Sequence, residues 1–105
     1  MGAIKPINLD KILKANEYSL VDFYATWCGP CQMLSPVIEK VMEDFPKIKL
    51  VKINVDEQPE LAQEYDVQSI PTVFLFKQTT EINSFKGFRD QNNLTAWIRQ
   101  HIKSA

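Results

Sequence analysis

A basic surplus is missing from this sequence: twelve Lys and Arg stand against thirteen Asp and Glu, for a net charge of −1. A protein that coats nucleic-acid phosphates needs a cationic excess, so this balance argues against a nucleic-acid partner. Long apolar runs are missing too. No segment approaches the roughly 20 apolar residues of a membrane-spanning helix, and no membrane partner is expected. The opening Met1-Gly-Ala-Ile-Lys-Pro6 lacks the apolar core of a secretory signal, and Pro6 stands where a myristoylation pattern wants Ser or Thr. A cytoplasmic location is therefore the expectation. Histidine is nearly absent, with His101 alone, and cysteine occurs only twice. One histidine and two cysteines do not complete a familiar zinc site within one chain. Internal repeats, low-complexity tracts and linkers are also lacking.

What remains is ordinary for a globular chain: 105 residues, 45% hydrophobic and 24% charged. That length suits one domain over residues 1–105, with a core that needs no disulfide stapling. The two cysteines sit three residues apart. A staple works mainly by closing a long loop, and this pair would close almost none. Redox chemistry, or half of a metal site, is the better reading.

Apolar spacing gives the elements. Asn8 can cap a helix carrying Leu9, Ile12 and Leu13 on one face. Leu20 to Ala25 is a short apolar run of the kind buried on both faces of a sheet. After Cys28, the residues Met33, Leu34, Val37, Ile38, Val41, Met42 and Phe45 recur at helical spacing, with Pro36 inside the pattern and Pro46 ending it. Ile48 to Val55 reads as a strand, and Asp56 as the cap of a short helix with Pro59 in its first turn. Thr72 to Phe76 and Glu81 to Phe85 read as a hairpin. Asp90 caps a last helix bearing Leu94, Trp97, Ile98 and Ile102. Ala3 to Ile7 is a possible edge strand, since Pro6 is tolerable only at an edge. Strands separated by helices are expected to pair in parallel, and the final hairpin must be antiparallel. The fold class is α/β: a mixed sheet with helices on both faces.

Chemistry concentrates at Trp27-Cys-Gly-Pro-Cys31, between a buried strand and the start of a helix. The first turn of a helix offers unpaired N–H groups and the positive end of the macrodipole, and both favour a sulfur anion at Cys28. Spacing of i and i+3 holds Cys31 on the same side. Gly29 is expected to relieve crowding at the turn, and Pro30 suits an early helical position. The implied reaction is a two-step exchange. Cys28 attacks a target disulfide, and Cys31 then displaces the target and leaves an intramolecular disulfide. No cation lies between the cysteines, which leans the pair toward reduction.

Asp22 interrupts an apolar strand. Burial should raise its pKa, and a place beneath the cysteines would let it take the proton of Cys31. An Asp pointing to solvent is the plainer alternative; Val21 and Phe23 on either side favour the buried one. Lys52, on the neighbouring strand, is its candidate partner, with a solvated lysine as the alternative. Trp27 is expected to be partly exposed and Trp97 to belong to the core. Nothing in Ile70-Pro71 alone makes that bond cis.

Taken together, Val21 to Cys31, Pro36, Lys52-Ile-Asn-Val-Asp56, Ile70-Pro-Thr72 and Gly87 resemble the thioredoxin family, roughly from Ile4 to Ile102. The family is itself a standing example of a thiolate favoured by its surroundings. The resemblance implies a five-stranded mixed sheet flanked by four helices. It implies an exposed nucleophile at Cys28, a buried resolving thiol at Cys31, an acid/base role for Asp22 and a neighbouring Lys52. It further implies a cis bond before Pro71 and a docking surface of Trp27, Gly29, Pro30, Ile70, Pro71 and Gly87 for disulfide-containing proteins. The chain would act as a monomer, bind no cofactor, and draw electrons from NADPH through thioredoxin reductase. Departures from the family are Tyr24 where many bacterial members have Trp, a hairpin turn without glycine, and Lys86 beside Gly87. A binding module without turnover, and an oxidase or isomerase of an oxidising compartment, are the rival readings.

Overall fold

The structure, a computed structural model, describes residues 4–102. Four helices and four strands occur among them: α1 (Leu9–Ala15), β1 (Tyr18–Tyr24), α2 (Gly29–Met42), β2 (Ile48–Asn54), α3 (Pro59–Glu64), β3 (Thr72–Lys77), β4 (Thr80–Lys86) and α4 (Gln91–His101). The strands form one mixed sheet in the order β2-β1-β3-β4.

Alternation along β1 divides the sheet into two faces, because successive side chains point to opposite sides. Leu20 joins Val73, Leu75 and Phe85 under α2 and α4, which contribute Leu34, Ile38, Leu94, Trp97 and Ile98. Val21 and Phe23 join Ile53, Phe74 and Phe76 on the other side, covered by Leu9 and Leu13 of α1 and by Tyr65 just beyond α3. Helices α1 and α4 start where the sequence offers a cap. Asn8 accepts from the Lys11 N–H, and Asp90 accepts from the Asn93 N–H. Such caps contribute about 1 kcal/mol apiece. Helix α2 runs unbroken through Pro36, which faces solvent.

Two expectations need correction. β1 and β2 are parallel, but β3 is antiparallel to β1 although α3 separates it from β2. The six-residue α3 advances only about 9 Å, against about 23 Å for a seven-residue strand, and the rest of the connection over 55–71 does not carry the chain back to the far end of the sheet. The chain enters β3 beside the end where β2 stopped, with Thr72 opposite Phe23.

The sheet also has four strands among the described residues, not five. Ala3 lies outside them, and residues 4–7 form no strand. Instead, the buried Gln58 side chain accepts from the Ile7 N–H at 3.2 Å and donates to the Lys5 carbonyl at 3.0 Å. A side-chain amide thus satisfies the backbone groups on either side of Pro6, which has no N–H to offer a neighbouring strand. The hairpin tip solves its lack of glycine through Gln78, whose φ is 48°, so neither β-branched threonine takes the left-handed conformation. An extra residue near Ile82 shifts the β3–β4 register between Leu75 and Phe76.

Candidate active site

Cys28 and Cys31 are joined as a disulfide at the N-terminus of α2, with Cα atoms 5.2 Å apart. Cys28 is the N-cap residue. Its Sγ accepts from the Cys31 N–H at 3.2 Å, where Ser, Thr, Asp or Asn would usually place an oxygen. The 14-residue helix behind it adds the positive end of its dipole. Pro30 occupies the first turn, where its missing N–H breaks no bond. A Cβ added at Gly29 would meet nothing within 4 Å. The expectation that Gly29 relieves crowding is therefore wrong; the residue leaves the surface beside Cys28 low instead.

The two sulfurs differ in surroundings more than in exposure. Cys28 is 5% exposed and Cys31 4%, so the expected contrast between an exposed and a buried cysteine is absent in the oxidised state. Cys28 Sγ lies 3.8 Å from the Ile70 carbonyl oxygen, next to the cis Ile70–Pro71 bond. The Gly87 N–H donates to the Pro71 carbonyl at 2.9 Å, which ties this loop to the end of β4. Gly87 has φ +85°, a conformation that a side chain would strain. Of the sequence-predicted docking residues, Ile70 thus stands against Cys28, and Gly87 is tied to the same loop through Pro71.

Cys31 faces the other way. It lines a cavity of about 220 Å³ together with Asp22, Tyr24, Thr26, Gln32, Ser35 and Lys52. At roughly 30 Å³ per water, several waters fit there. Asp22 is 1% exposed, and its Oδ1 has no hydrogen-bond partner among the described residues. Burial raises its carboxyl and the Lys52 charge opposes that rise; the net effect is a pKa lifted from the ordinary 3.8 to about 6.

Lys52 is the register partner of Asp22 across β1 and β2. It makes no ion pair with it; the ion pairs among the described residues are Lys14–Asp10 and Lys40–Glu43. The ammonium instead donates to Ser35 Oγ and lies 5.3 Å from the centroid of the Tyr24 ring.

Several residues of this region escaped the sequence reading. Asp56 does not cap α3, whose N-cap is Gln58. Its Oδ2 accepts the Trp27 indole N–H at 2.8 Å and so holds a side chain that is 70% exposed. Met33, counted among the core positions of α2, is 60% exposed, and Phe88 beside Gly87 is 44% exposed. Ser35 carried a readable signal: it falls on the buried stripe of Cys31, Leu34 and Ile38. His101 lies on α4, edge-on to Trp97, and no cluster of three potential metal ligands occurs among the described residues.

Comparison with known proteins agrees with this geometry. The thioredoxin family model matches residues 3–100. The chain is 43% identical over 94 residues to the thioredoxin of Rickettsia bellii, covering 89% of this chain and 90% of that one. It is 43% identical over 104 residues to the thioredoxin of Staphylococcus aureus, covering 97% and 100%. The solved structure of a mutant thioredoxin from Halobacterium salinarum superposes with a TM-score of 0.83 at 34% identity, covering 100% of this chain and 97% of that one. No helix is long and apolar enough to cross a membrane among the described residues. A Cys28–Cys31 disulfide at a helix tip, on this sheet and in this sequence company, makes the chain a member of the thioredoxin family and a thiol-disulfide oxidoreductase that reduces protein disulfides.

Proposed function

We propose that Cys28 is the attacking sulfur and Cys31 the resolving one. One observation carries this assignment: Cys28 Sγ sits at the N-cap and receives the Cys31 N–H. In the reduced protein the same donor and the same helix dipole favour a thiolate at Cys28 over one at Cys31. The Cys28 thiolate attacks one sulfur of the target disulfide, and the other target sulfur leaves as a thiolate. A mixed disulfide then joins the two proteins. Cys31 loses its proton and attacks Cys28 Sγ, and the second target sulfur departs. Two electrons have passed from the dithiol to the target, and the Cys28–Cys31 disulfide remains.

Asp22 is the group that accepts the Cys31 proton, by way of the cavity that both line. A carboxyl held near 6 is better matched to that transfer than one near 4, because it can both take and release a proton close to neutral pH. Lys52 acts on Asp22 through its charge. Trp27, Gly29, Pro30, Ile70, Pro71 and Gly87 form the surface on which an extended segment of the target docks. The Ile70 amide enters no backbone hydrogen bond among the described residues, which suits it to strand-like pairing with that segment.

The sulfurs are themselves the redox group, and no bound cofactor is required. Regeneration of the dithiol falls to a thioredoxin reductase that draws on NADPH. The chain works as a monomer. It is one domain over residues 1–105, and its radius of gyration of 13.2 Å supports one compact unit. A reducing compartment, the cytoplasm, suits a dithiol with no cation between its cysteines.

The test is a coupled assay in which NADPH oxidation follows reduction of a protein disulfide. Cys31→Ser should trap the target as a stable mixed disulfide, and Cys28→Ser should not. The reverse pattern would exchange the two roles.

A further inference from the structure

Ser35 lies one helical turn beyond Cys31 on the same face of α2, and its hydroxyl accepts from the Lys52 ammonium. Lys52 stands directly across from Asp22 in the parallel β1–β2 register, so both side chains leave the sheet on the same side. Nothing in that register keeps the lysine from the carboxyl. Asp22 Oδ1 is buried and without a partner, the arrangement an ion pair would ordinarily relieve. Yet the ammonium is turned to Ser35 and the Tyr24 ring.

We infer that Ser35 is a positioning residue for Asp22: its hydroxyl anchors the Lys52 ammonium out of ion-pair contact and so limits how strongly that cation opposes protonation of the carboxyl. Other groups around Asp22 do not supply this control. The titratable groups that share its cavity are Lys52 from β2, Tyr24 from β1 and the Cys31 sulfur from α2. On β3 its register partner is Val73, which carries no charge. A serine at position 35 thus acts as a tuning element for a proton acceptor it does not touch.

The inference rests on the proposed role of Asp22 only for its kinetic consequence. It is tested by following the Asp22 carboxyl carbon by NMR across pH in the oxidised protein, where neither cysteine titrates. Ser35→Ala frees Lys52 to approach, and the Asp22 midpoint should fall by about one unit or more, as an opposite charge within 4–6 Å requires. Ser35→Thr keeps the hydroxyl and should keep the midpoint. In a Lys52→Met background, Ser35→Ala should cause no further fall. A midpoint that stays or rises in Ser35→Ala, or a fall that persists without Lys52, overturns the proposal. The pH profile of the Cys31 resolving step should move downward with the midpoint. If the midpoint falls and the profile does not follow, Ser35 still positions Lys52, and it is the proton-acceptor role of Asp22 that fails.

Discussion

Asp22 and Phe23 are neighbours in β1, and they face opposite worlds. Phe23 enters a closed cluster in which its ring meets Phe74 and Tyr65 at 5.6 and 6.0 Å. Asp22 enters a cavity that it shares with a lysine, a serine and a redox sulfur. One face of the sheet, under α1 and α3, is devoted to packing. The other, under α2 and α4, packs at its far end and leaves room for chemistry near the helix tip. The division follows from the two-residue period of a strand: a single step along the chain carries a side chain from one environment to the other. A functional site can therefore hold an uncomfortable carboxyl without loosening the residue next to it.

This contrast can be broken from either side. The largest effect is expected at the chemistry end. Cys28→Ser should abolish turnover, a loss of at least about a thousandfold in a disulfide-reduction assay, because no nucleophile remains to open the target disulfide. The thermal stability of that variant should match the reduced wild type. On the packing side, Phe23→Ala should lower stability by about 3–5 kcal/mol in denaturant unfolding. The folded fraction should retain the thiolate absorbance of Cys28.

Asp22→Asn sharpens the comparison, since it should trade activity for stability. Folding raises the Asp22 pKa from 3.8 to about 6, so between those values the folded chain binds more protons than the unfolded one. The stability tied to the protonated carboxyl is intact below about pH 4 and is lost as pH rises through about 6. Near pH 8, Asp22→Asn should therefore stabilise the protein by about 2–3 kcal/mol, while near pH 3 the gain should vanish. Unfolding curves at the two pH values check the sign, and an equal gain at both would show that the carboxyl is not the cause. The resolving step should slow in the same variant. The smallest effect is expected at the rim. Asp56→Ala removes the acceptor of the Trp27 indole, a bond worth about 1 kcal/mol, so KM for a protein disulfide should rise a few-fold with kcat nearly unchanged.

Much of this layout was legible beforehand, and the reasons differ by element. β1 declared itself by a short apolar run, and α2 by an apolar stripe that recurs at helical spacing from Met33 to Phe45. The caps at Asn8 and Asp90 were readable because a cap is a local bond, made within three residues of its own position. Asp56 looked like a cap by the same local logic, and a partner 29 residues away won it instead. Met33 looked like core because an apolar side chain at helical spacing is usually buried, but its helix presents that position to solvent beside the disulfide. The direction of β3 depended on where the chain re-enters the sheet after α3, beside the end where β2 stopped. The absence of a strand at residues 4–7 depended on the Gln58 amide, more than fifty positions away.

Taken alone, the order of residues determined the helix tip, the spacing of the two cysteines and the apolar run in which Asp22 sits. These follow from backbone geometry and periodicity, which act over a few residues. The folded arrangement alone decided where the Lys52 ammonium points, what holds the Trp27 indole, and which loop stands against Cys28. Each of those is a contact between distant segments, and the direction of a charge or a ring is set by the neighbour that folding brings to it.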